Sequence, residues 1–429
     1  METIFALSSG SYRVGVAVVR LSGPRALPVL KELTGLTAIT PRKATLCRIR
    51  NNGVLLDQAL ILYFPAPHSF TGDDIVEFHL HGGRAVIEGV CAALQTQGCV
   101  LAEPGAFTRR AFENGKLDLT AAEAVADLID AETQVQRDQA LAQYNGALAD
   151  LYGGWSEKLT QLLAHLEADI EFPDEDLPSG LSAGLKPDVE QLLSDIAAHL
   201  DDNRRGEILR DGVHVAIIGA PNAGKSSLLN ALVLRDVAIV SPEAGTTRDI
   251  IEARLDLGGY PVVLSDTAGL RTSDNAIETE GVRRAKSRAA AADLKVVLFA
   301  ADAPFDLDTQ NMIDEKTLVV VSKADLAKTK LSGFSLSVKT GEGMEIFLRE
   351  LTQRVAALFK GKGISLTRQR HRQALEETKD CLTRSLQAKL PELAAEDLRL
   401  ALRNIGGITG RVHIEDILDK IFRDFCIGK

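Results

Sequence analysis

Residues 213–230 read VHVAIIGAPNAGKSSLLN, and this stretch decides the fold of the chain around it. An apolar run leads into a glycine-rich loop at Gly219, and a leucine-rich segment begins at Ser227. Apolar residues, a glycine-rich turn and an amphipathic segment in this order predict a strand, a tight loop and a helix. We therefore expect an α/β domain in which the loop lies between the end of a strand and the start of a helix.

The loop, residues 219–226, fits the pattern G-x-x-x-x-G-K-[ST]. Its glycines allow the backbone to bend so that N–H groups point at a polyphosphate, beside the positive end of the following helix. Lys225 supplies a point charge between the outer phosphates, and the hydroxyl of Ser226 can hold a magnesium ion. The loop residues predicted to contact a nucleotide are Asn222, Ala223, Gly224, Lys225, Ser226 and Ser227.

Composition limits the class of protein. A chain of 429 residues with 45% hydrophobic and 25% charged residues predicts about three packed domains. No apolar run approaches the roughly 18 residues that a membrane span requires, so we expect a soluble protein without a membrane partner. The net charge of −10 and pI near 5.4 argue against a general nucleic-acid coat protein, so RNA contacts should be local or supplied by a partner.

The cellular compartment is predicted from the N-terminus and the cysteines. METIFALSSGSYRVGVAVVRLSG lacks a basic stretch followed by a cleavable apolar core, and it lacks an Arg-rich transit pattern. The five cysteines form no C-x-x-C pair, and an odd number is a poor disulfide framework. Both observations predict a cytoplasmic protein with reduced thiols.

Four segments are predicted along the chain. Residues 1–118 alternate strand and helix patterns, residues 119–211 are helical, residues 212–359 alternate strand and helix again, and residues 360–429 are helical. The third segment predicts a parallel sheet covered on both faces, with a hairpin at Gly258. The economical interpretation is a multidomain protein in which an α/β domain is inserted into one helical domain.

Glu77, His79 and His81 alternate along a predicted strand, so their side chains should project from one face. That spacing could hold a metal ion. The simpler alternative is a pair of satisfied histidines beside a turn, and it is favoured because no cysteine or second carboxylate cluster accompanies them.

Two loops downstream of residue 226 carry the spacing of a guanine-nucleotide switch protein. In GTTRD a threonine hydroxyl, Thr247, is predicted to complete magnesium coordination. In DTAG, Asp266 can reach the magnesium ion through water and the Gly269 amide can sense the γ-phosphate, so both loops should become ordered with GTP. The predicted contacts in these loops are Gly245, Thr246, Thr247, Asp266, Thr267, Ala268 and Gly269.

The base is predicted to bind a third loop, SKAD, which matches N-K-x-D except at its first position. Asp325 should accept the two guanine donors N1–H and N2–H, which excludes adenine. An asparagine at position 322 would also tie this loop to the phosphate loop, so Ser322 predicts somewhat weaker guanine binding. The predicted base contacts are Ser322, Lys323, Asp325, Ser337, Val338 and Lys339, the last three in an SVK segment that resembles S-A-K.

The residue after DTAG is Leu270, where Ras-like switches carry a glutamine that orients the attacking water. Catalysis must therefore take a water-orienting group and a positive charge from elsewhere.

The whole chain resembles the MnmE (TrmE) family of bacterial tRNA-modification GTPases. The matching stretches are GAPNAGKSSLLN, GTTRD, DTAGLR, SFTGDDIVEFHLHGG, NGKLDLTAAEAVADLIDA, EFPDED and the terminal FCIGK. The resemblance implies a Ras-like GTPase domain inserted into the helical domain, behind an N-terminal folate-binding and dimerisation domain.

The resemblance also implies which groups supply the missing positive charge and the missing water-orienting residue. A potassium ion would take the place of an arginine finger. Its side-chain ligand would be Asn222, and backbone carbonyls at Ser241, Glu243 and Thr246 would complete the site. The water-orienting carboxylate would be Glu278, and without the family the residues alone leave Glu280 as an open alternative.

Further roles are implied outside the GTPase domain. A 5-formyl-tetrahydrofolate or a related one-carbon folate would contact Arg20, Glu77, Lys116 and Lys429. Cys426 would serve the modification reaction, although no partner that would lower its pKa is visible in the sequence.

Two functions are carried forward. In the first, a homodimer of this GTPase works with MnmG (GidA), a flavin- and NADH-using partner, in a heterotetramer that adds a (carboxymethyl)aminomethyl group to C5 of the wobble uridine of certain tRNAs. In the second, the protein is a ribosome-assembly or RNA-checkpoint GTPase of the Era or Der kind. Folate binding would favour the first, and a stable ribosomal-subunit complex without folate affinity would favour the second.

Overall fold

The computed structural model describes residues 2–10, 13–171, 181–235, 237–239, 252–266, 289–304, 306–327, 333–360, 365–412, 415–423, 425, 426 and 428. The chain forms two compact units. The first unit comprises Met1–Ile129, Ala142–Glu190 and Glu377–Lys429, and the second comprises Asp130–Leu141 and Gln191–Glu376. The domain boundaries expected from the sequence stay predictions.

The first unit contains a six-stranded sheet. Its strands are β1 (Ile4–Leu7), β2 (Val14–Ser22), β3 (Thr45–Asn51), β4 (Val54–Phe64), β5 (Ile75–Gly82) and β6 (Val100–Leu101). Their order is β3-β4-β5-β2-β1-β6, and the pairs are antiparallel except for β1 with β6.

One face of this sheet is covered by helices α1 (Ala26–Thr34) and α2 (Arg84–Thr96). The strands alternate buried and more exposed residues, as half-buried strands do. Phe5, Leu21 and Phe78 from the sheet share one core with Leu30 and Leu94 from the two helices.

The helical segments that follow are α3 (Ala106–Glu113), α4 (Leu119–Asp130), α5 (Gln134–Tyr144), α6 (Ala147–Glu171) and α7 (Leu181–Leu200). Near the C-terminus lie α12 (Gln369–Gln387), α13 (Pro391–Thr409) and α14 (Glu415–Arg423). In the first unit, Leu418 and Phe422 of α14 share a small core with Leu119 of α4.

The second unit is built on the predicted parallel sheet. Its strands are β7 (Val213–Gly219), β8 (Glu252–Leu257), β9 (Tyr260–Asp266), β10 (Leu294–Ala300), β11 (Thr317–Ser322) and β12 (Phe334–Ser335). The order is β12-β11-β10-β7-β9-β8, and every pair is parallel except the hairpin of β8 and β9. The hairpin turns at Gly258 and Gly259, both with positive φ, as predicted.

Both faces of this sheet are buried, which explains the nearly continuous apolar runs of its strands. Helices α8 (Arg205–Asp211), α9 (Lys225–Val233), α10 (Leu307–Gln310) and α11 (Met344–Leu358) accompany it. Leu228 of α9 and Phe347 of α11 share one core with alternate residues of β7. The other face packs Ile218 and Phe299 against Ala289.

Across the ranges given above, none of the helices is both long enough and apolar enough to span a membrane.

Candidate nucleotide site

The phosphate loop lies where the sequence predicts it, between β7 and α9. Gly224 has φ 92° and precedes the first residue of α9, and the Leu228 amide donates to its carbonyl at 2.9 Å. Lys225 is only 6% exposed, and its Nζ donates to the carbonyls of Gly219 at 2.8 Å and Ala220 at 2.9 Å. The loop therefore wraps around its own lysine.

Gly219 is required for close packing. A Cβ at this position would lie 2.6 Å from the Leu298 carbonyl oxygen of β10, which is closer than carbon and oxygen can approach. Asn222, in contrast, is exposed and has φ 63°, a left-handed conformation that asparagine tolerates better than most residues. Ser226 and Ser227 are exposed in the first turn of α9.

The base loop is attached directly to the phosphate loop. Ser322, at the end of β11, is 3% exposed, and its Oγ donates to the Ala223 carbonyl at 2.6 Å. The tie expected of an asparagine is therefore made by the serine. Lys323 follows with φ 56°, and its Nζ lies 3.0 Å from Asp302 Oδ1, beyond the end of β10.

Asp325 is exposed and is held from one side. The Ser337 hydroxyl donates to its Oδ1 at 2.7 Å, and this bond is the main reason that the pKa of Asp325 is lowered. Ser337 is itself fully buried, and its Oγ accepts from the Thr340 amide at 3.2 Å. Val338 is half-buried and Lys339 exposed on the same turn. The SVK segment thus positions the carboxylate predicted to bind guanine.

These loops follow the carboxyl ends of parallel strands, where open α/β sheets bind ligands. Many of the predicted contacts lie outside the described residues: Ser241, Glu243, Gly245, Thr246, Thr247, Thr267, Ala268, Gly269 and Glu278. Asp266 ends β9, but its side chain is not among those described. These assignments stay predictions.

The first unit brings two of the predicted folate contacts together. Arg20 of β2 lies directly opposite Glu77 of β5, and its Nε and Nη2 donate to Glu77 Oε1 at 3.0 and 2.9 Å. The guanidinium lies 5.9 Å from the centre of the Phe70 ring and 5.8 Å from that of Phe107. Lys116 lies at the nearby Gly72 turn, where a Cβ on the glycine would come within 3.2 Å of its Cε.

The metal alternative for this strand is not supported. Glu77 is committed to Arg20, His79 Nε2 is 3.5 Å from Glu77 Oε2, and His81 Nδ1 is 2.8 Å from Asp57 Oδ1. Among the side chains described, no group of three metal-ligating residues forms. His81 follows the simpler interpretation of a satisfied histidine, whereas the buried Nε2 of His79 makes no hydrogen bond among the described residues.

The C-terminal segment contacts the start of the chain within the first unit. The Ser8 hydroxyl donates to the Gly428 carbonyl at 3.0 Å, and the Gly105 amide donates to the Cys426 carbonyl at 3.5 Å. The Cys426 thiol is exposed. Lys429 is outside the described residues.

Sequence reasoning missed the supporting contacts. Asp302 beside Lys323, and Phe107 beside Arg20, come from segments with no motif of their own. Phe70 lies in the SFTG stretch quoted for the resemblance, but nothing in that stretch marked it as a neighbour of Arg20. The only available signal for Asp302 was its place just after an apolar strand.

A phosphate loop at the end of a central parallel strand, joined to a base loop that presents a fixed aspartate, defines a P-loop GTPase. Comparison with known protein families refines this class. The family model described as the MnmE helical domain matches residues 119–426, and the model described as the GTP-binding protein TrmE N-terminus matches residues 3–116.

Curated relatives are similar in sequence to this protein over its full length. The tRNA modification GTPase MnmE of Parvibaculum lavamentivorans is 54% identical over 438 residues, and that of Paramagnetospirillum magneticum is 53% identical over 439. In both comparisons 100% of this chain and 100% of the relative are covered. The chain therefore belongs to the MnmE family of tRNA modification GTPases.

Among solved structures, the G domain of the T. maritima FeoB iron transporter matches at 26% identity over 34% of this chain and 98% of its own. Its TM-score of 0.25 is too low to support a conclusion.

Proposed function

We propose that this protein hydrolyses GTP as part of tRNA wobble-uridine modification. The observation that carries the proposal is the phosphate loop around Lys225, tied through Ser322 to a base loop whose Asp325 is fixed by Ser337. Family membership connects that GTPase chemistry with tRNA.

The residues of the site divide the work of binding. Lys225 donates to two loop carbonyls at 2.8 and 2.9 Å, and these are weaker acceptors than phosphate oxygens. Its ammonium group would therefore turn to the outer phosphates of GTP. Asp325, ionised and oriented by Ser337, would accept from guanine N1–H and N2–H.

Two cations fit the loop residues that are described. The Ser226 hydroxyl is exposed at the start of α9, where it could bind magnesium together with Thr247. The exposed Asn222 could offer its amide oxygen to potassium, with Ser241, Glu243 and Thr246. When bound, potassium would supply the positive charge that an arginine finger supplies elsewhere. Glu278 would orient the water.

The first unit would bind the one-carbon folate. Arg20, Glu77, Lys116 and Lys429 would contact it, and Cys426 would take part in the modification reaction. The complete activity would require a homodimer, MnmG and tRNA. Domain insertion, with the GTPase segment interrupting the helical domain, belongs to the same proposal; the match to the helical-domain model, residues 119–426, extends across that segment.

Potassium dependence tests the proposal most directly. GTP turnover by the purified protein should be several-fold or more faster in potassium than in sodium buffer of equal ionic strength, at protein concentrations that allow dimerisation. Asn222→Ala should abolish the difference, whereas Asn230→Ala, which changes an exposed residue of α9, should preserve it.

Equal slow turnover in both salts would overturn the cation mechanism. If 5-formyl-tetrahydrofolate also failed to bind, the proposed role in tRNA modification would be rejected. The ribosome-assembly hypothesis would then be favoured.

A further inference from the structure

Ser322 has a different set of hydrogen-bonding groups from the asparagine that the N-K-x-D pattern calls for. A hydroxyl has one proton, whereas an asparagine amide has two N–H donors and one carbonyl acceptor. The acceptor that receives this single proton decides whether Ser322 can also donate a hydrogen bond to a bound base.

The geometry assigns the proton to the phosphate loop. Ser322 Oγ is 2.6 Å from the Ala223 carbonyl oxygen and 3.4 Å from that of Phe299, so Ala223 is the better acceptor by a wide margin. The side chain is 3% exposed, and its Oγ lies 3.8 Å from where a Cβ of Gly224 would be. The hydroxyl is therefore buried against the phosphate loop.

This commitment limits the recognition of guanine. The N7 and O6 atoms of guanine are acceptors and require a donor. Ser322 has no second proton to offer them. An asparagine could donate one N–H to the Ala223 carbonyl and direct the other to the base.

We propose that Ser322 is a positioning residue that ties the base loop to the phosphate loop, and that the protein binds guanine without a hydrogen bond from this position to N7. Guanine is then recognised through its N1–H and N2–H edge at Asp325. The inference rests on the proposed guanine-nucleotide binding and specifies how the base is recognised.

The test compares GDP with 7-deaza-GDP, in which a C–H group replaces N7, by calorimetric titration of the full-length protein. The wild-type protein should bind the two nucleotides with affinities within about 2-fold of each other. Ser322→Asn should bind GDP about 3- to 10-fold more tightly and should prefer it to 7-deaza-GDP by a similar factor, the effect of one added hydrogen bond.

Ser322→Ala tests the positioning role separately. Removing the donor to Ala223 should weaken GDP binding about 3- to 10-fold while both nucleotides remain equivalent. Ser335→Asn places the same amide on an exposed position of β12 and should change neither measurement.

A wild-type preference for GDP over 7-deaza-GDP of 5-fold or more would overturn the inference, and so would unchanged GDP affinity in Ser322→Ala. Failure of GDP to bind the wild-type protein at all would instead overturn the proposed function.

Discussion

The phosphate loop of the second unit and the Arg20–Glu77 site of the first unit are assembled in opposite ways. Lys225 is held by carbonyls five and six residues earlier in the chain. Arg20 and Glu77 are 57 residues apart and meet because β2 pairs with β5 in one register. A local motif can therefore be recognised in a sequence, whereas a site made by strand pairing becomes visible only in the fold.

The two sites also differ in how their charges are supported. Arg20 and Glu77 are only 17% and 16% exposed, so each depends on the other for compensation. Asp325 is exposed and can be hydrated, so its partner Ser337 orients it more than it stabilises it. Substitutions should therefore affect mainly activity in the nucleotide site and also stability in the Arg20–Glu77 site.

The largest effect is expected at Lys225. Lys225→Ala removes the charge proposed to bind the outer phosphates, and GTP turnover should fall by roughly 10²- to 10³-fold. The free energy of unfolding should change little, because the lysine donates to two carbonyls of its own loop and bridges no distant segment through them. Turnover at saturating GTP and denaturant unfolding measure the two effects.

Lys360→Ala, at an exposed lysine beyond α11, is the matched control and should leave turnover unchanged. A large loss of stability in Lys225→Ala, comparable with its loss of activity, would break the contrast between the two sites.

The next effect is expected at Glu77. Glu77→Gln removes the charge opposite the mostly buried Arg20 and should lower the free energy of unfolding by about 1–3 kcal/mol. Binding of 5-formyl-tetrahydrofolate should weaken by about 10- to 100-fold, because the proposed charge-assisted contact and the position of Arg20 would both be lost. Fluorescence titration and urea unfolding provide the measurements.

The control for this change is Glu88→Gln. Glu88 pairs with Arg84 at 2.7 Å, but both side chains are more than half exposed. Such a pair contributes little, so the loss should be below about 0.5 kcal/mol. Equal effects of Glu77→Gln and Glu88→Gln would show that burial does not distinguish the two pairs.

A smaller effect is expected at Gly428, where the C-terminal segment meets β1. Gly428 has φ 96°, and a Cβ would lie 2.5 Å from the Leu7 carbonyl oxygen. Gly428→Ala should displace the tail and accelerate its removal by carboxypeptidase several-fold. A Cβ added at Gly15 would have no neighbouring atom within 4 Å. Carboxypeptidase should therefore digest the Gly15→Ala variant at the wild-type rate.

The same contrast explains what the sequence could and could not predict. The strand, loop and helix around Lys225 follow from apolar order and glycine spacing, so their positions were confirmed. The sequence placed Glu77 and His79 on one strand but could not show that Glu77 lies opposite Arg20. Pairing register depends on contacts between distant segments, which short motifs do not encode.

The contacts of a residue that departs from its motif were harder to predict than strand pairing. The tie to the phosphate loop was predicted for an asparagine, and the sequence offered no way to see that Ser322 makes it. A distance of 2.6 Å between side chain and backbone depends on how β11 and the loop after β7 are spaced. That spacing is a property of the assembled sheet.

The smallest effect is expected at Ser337, and pH reveals it best. The Ser337 hydroxyl donates to Asp325 Oδ1 and is the largest cause of the lowered pKa of that carboxyl. A lowered pKa in the folded protein means that the contribution of the ionised form is present above the ordinary value of 3.8 and is lost as pH falls through the folded value. In Ser337→Ala the pKa should return toward the ordinary value.

Asp325 is ionised in both proteins near neutral pH, so Ser337→Ala should weaken GDP binding there by only about 2- to 4-fold, through looser orientation. On acidification from about pH 6, however, the variant should lose GDP affinity at a higher pH than the wild-type protein, because its carboxylate is protonated earlier. Ser335→Ala, an exposed serine of β12, should follow the wild-type curve. Coincident acid profiles for Ser337→Ala and the wild type would mean that the hydroxyl does not tune the base-binding carboxylate.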